Sequence, residues 1–88
     1  MPLSEFRQIP GVGRNMEAHL LALGLTNLGE LAAQSPEELY TRSCLMFGQP
    51  LDKCVLYVYR CAVYYARTPA PRREAEKLRW WYWKNHTL

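Results

Sequence analysis

Eighty-eight residues, 49% of them apolar and 22% charged, suit one folded domain with a modest core and are too few for two. No apolar run approaches the length of a membrane span, and Met1-Pro2-Leu3-Ser4 has no signal-peptide pattern, so a cytoplasmic location is expected. The formal charge of +3 divides unevenly: residues 1–66 hold five basic side chains (Arg7, Arg14, Arg42, Lys53, Arg60) against six acidic ones (Glu5, Glu17, Glu30, Glu37, Glu38, Asp52), so +4 is left on residues 67–88.

Ser4 and Glu5 are placed to cap a first short helix that runs to about Ile9. Pro10 forbids its continuation, and Gly11 and Gly13 offer the positive φ or close backbone approach that a tight reversal needs. Met16, Leu20, Leu21 and Leu23 then recur at helical spacing, giving a second helix from about Arg14 that stops at Gly24. Phe6 and Ile9 are expected to pack against Met16 and Leu20. Two short helices joined by Ile9-Pro10-Gly11-Val12-Gly13 resemble the helix-hairpin-helix family. That resemblance implies that backbone amides of Gly11, Val12 and Gly13 bind a nucleic-acid phosphate, with Arg14 adding charge. Unpaired amides and the helix dipole both favour an anion there. One position departs from the family: Glu17 stands where it usually has Ala. A purely structural turn is the alternative. The dinucleotide-binding glycine pattern does not apply, because no strand precedes Gly11 and position 16 is Met.

Thr26 or Asn27 caps a third helix bearing Leu28, Leu31 and Ala32. Ser35-Pro36-Glu37-Glu38 is a sharper start signal, with a cap, a first-turn proline and two carboxylates at the positive end of the dipole. The helix that follows carries Leu39, Tyr40, Cys44 and Phe47 and ends at Gly48-Gln49-Pro50. The stretch from Gly24 to Leu39 resembles a second helix-hairpin-helix half without its glycine turn, suited to packing. Leu51 to Arg67 is the longest helix, apolar almost all round, and is expected at the centre of the core. Lys53, Tyr57, Arg60, Tyr64 and Arg67 form one stripe on it. That stripe is read either as a solvated face or as a basic-aromatic surface on which Arg60 meets phosphate.

Thr68-Pro69-Ala70-Pro71 breaks that helix and divides a helical body, residues 1–67, from a basic Trp-rich segment, residues 68–88, that packs on it within the same domain. In the segment Ala75, Leu78 and either Trp81 or Tyr82 share one helical side. Arg72 and Arg73 supply charge for phosphate. Trp80, Trp81, Tyr82 and Trp83 cannot all face one core, so they either cover the tyrosine stripe or offer Trp80, Trp81 and Trp83 to a partner.

Ile9 to Gly13, Cys44 to Gly48, Cys54-Val55-Leu56, Arg60 to Ala66 and Leu78 to Lys84 together resemble the bacterial pathogenicity-locus family of small helix-hairpin-helix proteins. The resemblance spans nearly the whole chain and implies an all-α domain of five or six helices, of the helix-hairpin-helix (SAM-like) type. The wider superfamily implies nucleic-acid binding, DNA before RNA; the family itself brings no activity. Enzymatic chemistry finds no support, since His19 and His86 lie in no catalytic spacing and Glu37 and Glu38 are adjacent and point apart. Cys44, Cys54 and Cys61 lack any CxxC pair and read as reduced core thiols, with no metal and no cofactor expected. The expected function is a non-enzymatic module that binds the phosphate backbone weakly and without sequence preference. The alternative is a protein-interaction or self-association module using the Trp-rich end.

Overall fold

A computed structural model describes residues 5–88, and these contain four α-helices, four 3-10 turns and no strand. The expected Ser4 cap lies outside the described residues. The four α-helices are α1 (Arg14–Ala22), α2 (Leu28–Ala32), α3 (Pro36–Phe47) and α4 (Lys53–Arg67). The all-α class holds, but the five or six helices expected are four. Glu5–Gln8 is a single 3-10 turn, and the C-terminal segment is three 3-10 turns: Ala70–Arg72, Ala75–Leu78 and Trp80–Lys84.

The helix limits follow the local chemistry. Asn27 Oδ1 accepts from the Glu30 amide at the start of α2, and Ser35 Oγ accepts from the Glu38 amide at the start of α3. Asp52 Oδ1 does the same for the Cys54 amide at the start of α4. Gly48 closes α3 at φ 70, the left-handed cap that glycine adopts without strain. Glu5, expected at the first helix, instead reaches the amide of Leu28 at 2.9 Å and so fastens the N-terminal turn to α2.

Helix α4 is the centre. Tyr59, Cys61, Ala62 and Val63 are fully buried, and Val58, Ala62 and Val63 share one cluster with Phe6, Ile9, Leu20, Leu31 and Leu39. Ser43 is the one buried polar residue among the described residues, and its hydroxyl meets that of Tyr59. A second cluster joins Cys61 and Tyr64 of α4 to Trp83, with Tyr57, Leu78, Trp80 and Tyr82 around them.

The C-terminal segment does not form one helix because side chains take up its backbone groups. The Glu74 amide donates to the Tyr64 hydroxyl, while the Lys77 carbonyl accepts from Trp83 Nε1 at 2.9 Å. Arg79 is extended, at φ −94 and ψ 118, which breaks the helical path. The break turns both Trp80 and Trp83 towards α4. A radius of gyration of 12.1 Å matches the value of about 12 Å expected for a chain of this length.

Candidate nucleic-acid interface

Ile9-Pro10-Gly11-Val12 forms a β-turn closed by the Val12 amide on the Ile9 carbonyl at 3.0 Å. Proline second and a positive-φ glycine third, here φ 89 at Gly11, is the type II arrangement. A Cβ on Gly11 would also lie 3.3 Å from Trp80 Cδ1, a tight contact that adds to the strain of the positive φ. Gly13 is different. It is the N-cap of α1 at φ −96 and ψ −165, extended backbone open to any residue, and a Cβ there would meet nothing within 4 Å.

Of the three residues expected to present amides, Val12 spends its own on Ile9 and buries its side chain in the core. The free donors lie one step further along. The first intrahelical bond of α1 runs from the Glu17 amide to the Gly13 carbonyl, so the amides of Arg14, Asn15 and Met16 have no helical acceptor. Among the described residues no side chain caps them. Gly13, Arg14 and Asn15 are exposed. Glu17, the departure from the family pattern, faces Arg7 at 3.6 Å across the hairpin.

The arginines divide into two groups. Arg60 is held by Glu37 at 2.9 Å, and its Nη1 donates to the carbonyls of Trp83 and His86. Arg73 lies over the Tyr65 ring at 3.6 Å and donates to the carbonyls of Thr68 and Tyr65 at the end of α4. Arg67 donates to Ala32 and Gln34 carbonyls after α2, and Arg42 to the Leu23 carbonyl after α1. Three arginines thus neutralise three helix C-termini, a use that their sequence positions do not reveal. The middle of the α4 stripe is accordingly covered, with Tyr64 only 9% exposed and Tyr57 and Arg60 half-buried, while Lys53 and Arg67 at its two ends are exposed. Arg14, Arg72, Arg79 and Lys84 are exposed and have no ion-pair or carbonyl partner among the described residues.

The three tryptophans also separate. Trp83 is buried against Tyr64, their ring centroids 5.5 Å apart, and offers no face to a partner. Trp80 is half-buried between Gly11 and the core. Trp81 is 56% exposed, edge-on to Trp80 at 5.7 Å.

These placements stand beside the comparisons with known proteins. The family described as Cdd1, pathogenicity locus, matches residues 2–87. The chain belongs to the Cdd1 family. It is also similar to the mitomycin resistance protein McrB of Streptomyces lavendulae, 35% identical over 60 residues that make up 68% of this chain. Those residues span 57% of that relative's length. No solved structure matches this Cdd1 chain.

One surface of this Cdd1 chain had no sequence signal. A groove of about 610 Å³ opens between α1, the end of α3 and the start of α4, lined by Met16, His19, Phe47, Cys54, Val58 and Trp80 among others. His19 lies tilted against Phe47, ring centroids 4.8 Å apart, and its Nδ1 is buried without a hydrogen-bond partner among the described residues. Leu45, Met46 and Phe47 stay exposed at its α3 edge, Leu45 by 77%. The apolar α3 end looked in sequence like an ordinary helix stop. The three cysteines are free thiols, and burial pushes the Cys61 thiol up to about 11.

Proposed function

We propose that this chain is a non-enzymatic helix-hairpin-helix module that binds the phosphate backbone of DNA at the start of α1. The observation that carries the reading is the uncapped helix. Asn27, Ser35 and Asp52 each accept from a first-turn amide of the other three α-helices, whereas α1 begins at a bare glycine without a side-chain cap, beside an arginine that has no ion-pair partner among the described residues. A phosphate oxygen satisfies those amides and interacts favourably with the helix dipole. The contacts are to backbone phosphate, so base sequence does not enter.

The engaged guanidinium groups of Arg60 and Arg73 take no part in this reading; Arg14 supplies the local charge, and Arg72 and Arg79 contribute from the segment. Few phosphates are neutralised, so a plot of log affinity against log salt should have a slope of only about −2 to −4. Fluorescence anisotropy with labelled DNA at several salt concentrations tests this, and Arg14→Glu should reduce both affinity and slope.

A second reading, protein docking or self-association, is favoured by the exposed Leu45, Met46 and Phe47 beside the groove. Sedimentation over a range of protein concentrations distinguishes it, since the phosphate reading needs only a monomer.

A further inference from the structure

We infer that the exposed ring of Trp81 is a stacking platform for an unpaired base, so that the nucleic acid this module prefers is single-stranded. The inference rests on the phosphate reading above and names the substrate class of the same site.

In the turn Trp80–Lys84, residues three apart eclipse one another. Trp80 and Trp83 therefore form one side, and both are packed on α4. Trp81 and Lys84 form the other, and both are exposed. An aromatic face is thereby set beside a cation with no partner among the described residues, and Arg79, also exposed and unpaired, enters the same turn.

The ring is held in place. Trp80 stands edge-on to it, interplanar angle 88°, and Trp80 is itself lodged between the Gly11 turn and the core. Trp81 is thus one aromatic contact removed from the turn that leads into α1. An ordered ring loses little freedom when a base stacks on it. Its other aromatic neighbour in sequence is not free for this purpose, because Tyr82 is stacked on His86 at 4.0 Å.

Charge selects the occupant. Residues 67–88 carry +4, and of their cations Arg72, Arg79 and Lys84 are uncommitted. A flat apolar face bordered by uncommitted cations is complementary to an anionic strand whose bases are unstacked and accessible. In a duplex the bases are paired inside and the ring would meet only sugar and phosphate.

The test is anisotropy at low salt with a labelled dT homopolymer and with a duplex of equal length, for the unmodified chain, Trp81→Ala, Trp81→Phe and Gly13→Asp. Near-ultraviolet circular dichroism confirms that each is folded; Trp81 is exposed, so its removal leaves the core intact. The unmodified chain should favour the single strand. Trp81→Ala should lose roughly tenfold on it and keep its duplex affinity, and Trp81→Phe should recover part of the loss. Trp81→Ala equal to the unmodified chain, with Gly13→Asp inactive, would overturn the stacking platform and leave the phosphate reading intact. Equal losses on both DNAs would also overturn it. No binding by the unmodified chain would remove both readings, and a dimer dissolved by Trp81→Ala would then identify the ring as a self-association contact.

Discussion

Replacing Gly11 by Ala should destabilise the fold strongly, and replacing Gly13 by Ala should scarcely matter. At φ 89 an L-residue costs about 1–2 kcal/mol. The new Cβ also comes to 3.3 Å from Trp80 Cδ1, so the indole must give by a few tenths of an ångström where it is wedged between the turn and the core. Together these give about 2–3 kcal/mol, a large part of the roughly 5–10 kcal/mol available to a domain of this size. At about 4–8 °C per kcal/mol, Tm should fall by about 10–20 °C. Gly13 is extended and its Cβ space is empty, so Ala there trades a slightly poorer cap against lower unfolded-state entropy. Its Tm should stay within about 4 °C. Thermal melts followed by far-ultraviolet circular dichroism measure both. Equal shifts for the two variants, or an Ala at position 11 without effect, would refute the turn geometry and the Trp80 contact.

Arg60→Met should cost roughly 2 kcal/mol, because one guanidinium ties Glu37 to the Trp83 and His86 carbonyls; urea denaturation checks it, and an unchanged midpoint would show the clamp to be idle. At pH 8 a thiol reagent should react slowly with the half-buried Cys54, whose thiol is raised chiefly by its hydrogen bond with Asp52, and with the buried Cys61 only after denaturant is added. The Glu30 carboxyl is held below its ordinary value, first by the Thr26 hydroxyl and then by the Thr26 amide. The folded chain therefore binds that proton more weakly than the unfolded one, and stability should be full above about pH 5 and fall as pH drops through and below the ordinary carboxylate range. Glu30→Gln should flatten that fall in a pH series of melts.

Local punctuation was legible in the sequence. Pro10-Gly11 marks a turn that does adopt positive φ, Ser35-Pro36 starts α3 and Gly48 ends it, because each signal acts within a few residues. The central place of α4 followed from its breadth of apolar residues. What remained hidden depends on partners distant in the chain. Nothing in the spacing of Arg42, Arg67 and Arg73 says that they end on helix carbonyls, and nothing local says that Glu5 serves α2. The Trp-rich segment has helical periodicity, yet the Glu74 amide is bound to the Tyr64 hydroxyl of α4 and the Lys77 carbonyl to the Trp83 indole, and the segment folds as 3-10 turns. Gly13 resembled a second strained glycine, but the structure places it as a plain N-cap. The turn itself was legible, but the amides without a helical acceptor are those of Arg14, Asn15 and Met16, because Val12 spends its own on Ile9.

Gly13→Asp puts the question of the phosphate site most directly. The extended backbone and empty Cβ space at position 13 accept the side chain, and Asp is among the best helix caps. Its carboxylate would satisfy the first-turn amides of α1 and place a negative charge where the phosphate would sit. DNA affinity measured by anisotropy at low salt should then fall at least tenfold while Tm stays level or rises slightly. DNA binding that survives Gly13→Asp unchanged, in a protein shown to be folded, would contradict a phosphate site at the start of α1.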